Sequence, residues 1–82
     1  MVFVQPRTKP LILYDGDCGF CREKVSRWQA MTGTRVEYAP FQEVGSQFPE
    51  ISLEQFTASV WLIEPDGRLS NGAEAVFRTL AY

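Results

Sequence analysis

The chain has 82 residues with eight basic and ten acidic side chains, a net charge of −2, and 45 % apolar residues. That allows one small globular domain and one modest core. The complete lack of histidine excludes Ser-His and Cys-His catalysis, His-ligated zinc and HExxH metalloproteases, and the few scattered Lys and Arg speak against nucleic acid as a partner.

Residues 1–9 read as a leader, with Pro6 and Pro10 interrupting regular structure. The N-terminus shows no basic region ahead of its apolar residues, and its apolar run is far too short for a signal-peptide core. No stretch approaches the length of a membrane span. The expectation is a cytoplasmic chain with no membrane partner, monomeric, with residues 10–82 forming one domain.

Residues 11–14, Leu-Ile-Leu-Tyr, form a continuous apolar run that predicts a strand buried on both faces. Asp15-Gly16-Asp17 is turn chemistry. A helix is predicted from Gly19 to Thr32. Cys21, Val25, Trp28 and Met31 share its apolar face, Glu23 and Arg27 pair four apart outside, and Gly33 stops it. Thr34–Ala39 alternates as a half-exposed strand with Val36 and Tyr38 inward, and residues 40–50 read as a loop. Phe41 and Phe48 in that loop are expected to pack beneath it, and Trp28 and Trp61 to serve the core.

Ser52 and Gln55 suit a capping box for a short helix through Phe56. Ser59–Glu64 predicts a strand, Pro65-Asp66-Gly67 a hairpin turn, and Arg68–Ser70 the returning strand. Asn71 is placed to cap a final helix whose apolar face is Ala73, Val76, Phe77 and Leu80. The order is β-α-β-α-β-β-α, an α/β fold with a four-stranded mixed sheet flanked by helices. The first two strands should run parallel with a right-handed crossover.

Cys18-Gly19-Phe20-Cys21 follows a strand and opens a helix inside a βαβ unit, the setting in which CxxC becomes a redox motif. Free N–H groups and the helix dipole favour a thiolate at Cys18, so it is the candidate nucleophile. Cys21, one turn on and facing inward, is the candidate resolving cysteine. Gly19 leaves the approach open, Phe20 offers an apolar contact to substrate, and Arg22 faces solvent. Asp15, at the strand end, is a candidate to accept or relay the proton of Cys21, while Asp17 points to water. Both carboxylates oppose a thiolate by like-charge repulsion, which points to a reductant-like role.

Other readings remain open on the residues alone. One is a CxxC zinc site shared between two chains, since four ligands are needed and one chain supplies two. Another is a pair of buried structural thiols. A third is a binding module that keeps the fold without the chemistry.

The segment Tyr14-Asp15-Gly16-Asp17-Cys18-Gly19-Phe20-Cys21 resembles the DCC family of thiol–disulfide oxidoreductases, whose Asp-x-x-Cys-x-x-Cys motif is matched by Asp15, Cys18 and Cys21. Pro65-Asp66-Gly67-Arg68 and Gly72-Ala73-Glu74-Ala75 are similar to later parts of that family, in the same order. The resemblance spans residues 11–80. It implies a thioredoxin-like fold and disulfide exchange with a disulfide- or thiol-bearing protein or small molecule. No metal or organic cofactor is implied, because the dithiol carries the electrons. Family members usually continue into a further helical stretch, so the domain reads as one that lacks a C-terminal extension. Thioredoxins also carry a cis-proline before the third strand. The matching Phe56-Thr57-Ala58-Ser59 has no proline, and Thr57 and Ala58 become the candidates for a substitute substrate-binding surface. Asp15-Gly16-Asp17 separately resembles the DxD motif of haloacid-dehalogenase-type phosphatases, but the chain is too short for that fold.

Overall fold

The computed structural model describes residues 8–82. Most of the expected leader therefore lies outside the described residues. The apolar run becomes strand β1 (Leu11–Tyr14), followed by helix α1 (Gly19–Thr32) and strand β2 (Glu37–Pro40). Two short helices, α2 (Phe41–Val44) and α3 (Leu53–Ala58), lead to strands β3 (Trp61–Ile63) and β4 (Leu69–Asn71) and the last helix, α4 (Gly72–Leu80). The sheet order is β2-β1-β3-β4. β1 and β2 are parallel, as a helical crossover requires, and the other two pairings are antiparallel.

The central strands bury both faces, and their side chains alternate between two cores. Leu11, Leu13 and Ile63 join Phe41, Phe48, Ile51 and Phe56 on one face. Ile12 and Leu62 join Val36 and Ala75 on the other. Phe41 and Phe48 are thus core residues, as expected, and Phe41 stacks on Phe56 with ring centroids 5.0 Å apart. Trp61 is half-buried against the first core, and Trp28 is half-buried on α1.

The turn and capping chemistry matches the expected signals. Ser52 and Gln55 form a reciprocal capping box. The Gly67 amide donates to the Glu64 carbonyl and the Glu64 amide to the Arg68 carbonyl, with Gly67 at φ 90°. This is a turn closed by a left-handed glycine bulge. Gly33 at φ 58° ends α1.

Five expectations need correction. The second strand begins at Glu37 rather than Thr34, because Gly33–Arg35 winds as a 3-10 turn. Arg35 holds that turn by donating to the carbonyls of Met31 and Tyr82. Residues 40–50 are not a plain loop, since they form α2 and a 3-10 turn at Gly45–Gln47.

On α1, Met31 is 56 % exposed and Thr32 is buried in its place. The Thr32 hydroxyl donates to the Trp28 carbonyl and is 2.8 Å from the Tyr38 hydroxyl, so its burial leaves no polar group orphaned. On α4, Phe77 is 75 % exposed, and Ala73 and Leu80 are exposed too. The buried face is Ala75 and Thr79, with the Thr79 hydroxyl donating to the Ala75 carbonyl at 2.7 Å. Asn71 stands at the N-cap position of α4, but its side chain donates to the Ser59 hydroxyl instead of capping. Among the described residues no helix is long and apolar enough to cross a membrane.

Candidate active site

β1 ends at Tyr14, and Asp15-Gly16-Asp17 turns the chain into α1. The Asp15 carboxylate accepts the Asp17 amide at 2.9 Å, and the Cys18 amide donates to the Asp15 carbonyl at 3.2 Å. Together they fold the turn tightly enough that Cys18 becomes the N-cap of α1. There its Sγ accepts the amide of Cys21 at 3.2 Å. A sulfur thus takes the capping position usually held by an oxygen, and it satisfies a helix N–H that has no partner within the helix.

Both cysteines are free thiols and half-buried, yet their environments pull them apart. The thiol and the backbone N–H of Cys21 both donate to the Cys18 sulfur, and this holds the Cys18 thiol below its ordinary range. The carboxylate of Asp15 works weakly against that. Burial pushes Cys21 up to about 11, and its hydrogen bond to Cys18 and the charge of Asp15 add to the rise. The helix opening therefore generates an acidic thiol outside and a reluctant one inside, from two identical side chains three residues apart.

Asp15 is half-buried, and Asp17 is exposed as expected. Phe20 is 70 % exposed, and the Lys24 ammonium lies 5.2 Å from its ring centre, so an apolar contact stands free beside Cys18. Arg22 faces solvent.

Thr57 and Ala58 are exposed in the last turn of α3 rather than in a loop. The Thr57 hydroxyl donates to the Glu54 carbonyl. The register pairs Leu13 with Trp61, so the chain entering β3 reaches the same end of the sheet as the cysteine turn. No hydrogen bond joins Thr57 or Ala58 to Cys18 or Cys21 among the described residues.

Sequence reasoning missed Gln42 and Pro40. Gln42 donates to the Asp15 carboxylate at 2.7 Å and accepts the Gly16 amide at 3.0 Å. A Cβ placed on Gly16 would lie 2.8 Å from the Pro40 Cβ, so only glycine lets the turn sit this close to the end of β2. The one signal in the sequence was the abrupt end of a strand pattern at Pro40, which marks a boundary without saying what it touches.

Among the described residues no cluster of three or more His, Cys, Asp or Glu side chains is arranged to hold a metal ion. No family model, curated protein or solved structure matches this chain. The geometry of the site therefore carries the functional argument.

Proposed function

We propose that this chain is a thioredoxin-like thiol–disulfide oxidoreductase of the DCC type, with Cys18 as nucleophile and Cys21 as resolving cysteine. The observation that carries the reading is the Cys18 sulfur held as the N-cap of α1 by the Cys21 amide. The motif Asp15-x-x-Cys18-x-x-Cys21 and the strand-helix-strand setting support the family assignment. The mixed four-stranded sheet with β3 and β4 as a terminal hairpin supports the thioredoxin-like topology.

In the proposed cycle the Cys18 thiolate attacks one sulfur of a substrate disulfide. A Cys18–substrate S–S bond forms, the substrate S–S bond breaks, and the other substrate sulfur leaves as a thiolate. Cys21 then gives up its proton and attacks the Cys18 sulfur. The Cys18–Cys21 bond forms as the mixed disulfide breaks and releases the second substrate thiolate. The substrate gains two electrons and the protein loses two. A small thiol or a dithiol protein of the same compartment, read as the cytoplasm, restores the pair by the reverse exchange.

In this reading Asp15, whose charge bears on Cys21, takes the Cys21 proton, since the inner thiol is too weakly acidic to ionise alone near neutral pH. Phe20 gives the substrate an apolar contact. Thr57 and Ala58 flank the same end of the sheet as a second one.

The deciding measurement is the pH dependence of Cys18 alkylation in the reduced, metal-stripped protein, alongside a Cys21→Ser variant. Cys18 is expected to react with a midpoint below the free-thiol value of about 8.5, and the variant is expected to accumulate a mixed disulfide. A Cys18 that titrates as an ordinary thiol and traps no intermediate would overturn the reading in favour of a binding module. Stoichiometric zinc in the protein as purified, with loss of a dimer on chelation, would move it to a shared CxxC metal site.

A further inference from the structure

The side-chain amide of Gln42 closes a ring with the turn that carries the cysteines. Its Nε2 donates to Asp15 Oδ1 at 2.7 Å, and its Oε1 accepts the Gly16 amide at 3.0 Å. The same Oδ1 also accepts the Asp17 amide. Both bonds to the carboxylate fix it through one oxygen, while Oδ2 accepts no hydrogen bond among the described residues. A carboxylate bound in this way has a fixed direction and one open acceptor. The donors holding it are neutral, and among the described residues no cation pairs with it.

We propose that Gln42 is a positioning residue that acts through Asp15. It holds the carboxylate over the cysteine turn so that Oδ1 anchors the turn and Oδ2 is free to take the proton of Cys21. The inference rests on the oxidoreductase reading and goes beyond it, because Gln42 lies outside the motif and on a different element, α2.

The groups around the two thiols are few and identifiable. Cys18 and Cys21 act on each other, and Asp15 bears on both. From β1, Tyr14 is half-buried, and in the turn Asp17 is exposed. On α1 itself Arg22 and Glu23 are exposed, and Lys24 lies over Phe20. Of the charged groups on elements packed against α1, Arg35 is engaged with Met31 and Tyr82, Arg78 with Glu64, and Glu74 is exposed. On α2, Glu43 is exposed.

Two substitutions of similar size separate positioning from mere support. Gln42→Met removes both bonds of the amide and leaves the carboxylate held by the Asp17 amide alone, so that it can turn toward water. Its repulsion of the thiols then weakens, so both cysteines titrate at lower pH than in the natural protein, in the direction of Asp15→Asn. Gln42→Glu keeps an acceptor for the Gly16 amide but sets a second negative charge against Asp15, so both titrations move up. A residue that only supported the turn would shift both variants the same way.

The test follows thiolate absorbance against pH in the intact reduced protein, together with the rate at which a Cys18 mixed disulfide is released. Asp15→Asn is expected to slow release about 100-fold, within the usual range for a proton-transfer group. Gln42→Met should slow it about 10-fold, part of the roughly 100-fold that an ångström of misplacement can cost. Gln42→Met placed on Asp15→Asn should add nothing to either readout. Unchanged titrations and release in Gln42→Met, or full additivity with Asp15→Asn, would overturn the inference and leave the oxidoreductase reading standing. An ordinary Cys18 in the natural protein would overturn that reading, and the opposite shifts of the two Gln42 variants would still decide the clamp, because the titrations need no substrate.

Discussion

The sheet carries an acid beyond the end of each of its two central strands, and the two have opposite fates. Asp15 follows β1, and Glu64 follows the antiparallel β3, so they mark opposite ends of the sheet. Glu64 is buried, and both its oxygens are taken. The Arg78 guanidinium donates to Oε2 at 2.6 Å and the Tyr82 hydroxyl to Oε1 at 2.6 Å. The pairing with Arg78 holds the Glu64 carboxyl below its usual range, and the bond to Glu64 pushes Tyr82 up to about 12. Asp15 is half-buried and, among the described residues, has only neutral donors, all on one oxygen. A carboxylate with both oxygens engaged and its charge paired to a cation holds structure together. One that is oriented but not neutralised remains available for a proton. Burial alone would have singled out Glu64, the acid whose two oxygens are already engaged.

The sharpest way to break this contrast is to remove chemistry at one end and the ion pair at the other. Cys18→Ser is expected to abolish disulfide exchange while leaving the fold intact, since the side chain is half-buried and its hydroxyl still caps α1. Glu64→Gln should leave the exchange rate within about twofold, since the site lies at the far end of the sheet from Glu64. Exchange rate and urea midpoint, measured on both variants, check the pair. A Glu64 variant that lost exchange but kept its midpoint would erase the distinction.

Next in size is Gly16→Ala. The added methyl meets a proline ring, which cannot swing aside, and the Gln42 Oε1 at 3.2 Å. The expected cost is about 1–3 kcal/mol, typical of overpacking, read as a lower urea midpoint. Gly19, in the same motif, opens onto free space, with nothing within 4 Å of where a methyl would stand. Gly19→Ala should therefore stabilise the helix opening by about 0.5–1 kcal/mol. Equal effects at the two glycines would mean that the turn does not press against β2.

Glu64→Gln comes next, at about 1–2 kcal/mol, a charged hydrogen bond discounted because the Arg78 side chain is 34 % exposed. Its pH dependence has a fixed sign. A carboxyl lowered in the folded state stabilises the protein above its unfolded value of about 4.3. That contribution fades as pH falls through the lower folded value. The natural protein should thus lose more stability than Glu64→Gln between neutral pH and about pH 3. Parallel losses in the two proteins would place the acid-sensitive group elsewhere.

Much of the framework was legible because its signals are local. The apolar run at 11–14, the Ser52–Gln55 box and the Pro65-Asp66-Gly67 turn are each decided within a few residues, and Cys18 with Cys21 was readable from spacing and setting. The misreadings share a physical cause. Thr32 and Thr79 look polar in sequence, but each returns its hydroxyl to a carbonyl four residues back and buries its methyl. They displaced Met31 and Phe77 from the expected faces. Gln42 was invisible for a different reason. Its role depends on Asp15, 27 residues away, and nothing in a polar side chain near a proline announces a partner so distant. Local rules found the two cysteines, and long-range packing set the Gln42 side chain against Asp15.

The smallest expected effect tests the rotation of α4, on which the Glu64 end depends. Turning Ala75 and Thr79 inward is what carries Arg78 onto Glu64 and leaves Phe77 outside. Neighbouring residues on a helix point about 100° apart, so a Phe77 seated in the core would take Arg78 off its partner. Phe77→Ser is therefore expected to change stability by less than about 0.5 kcal/mol, the ordinary range for a surface position. Burying an aromatic ring and then deleting it costs about 3–5 kcal/mol, so the two rotations differ by far more than the error of a urea midpoint. A loss in that upper range would seat Phe77 in the core and withdraw the ion pair. The acid beyond β3 would then be as open as Asp15, and the contrast between the two ends of the sheet would fall with it.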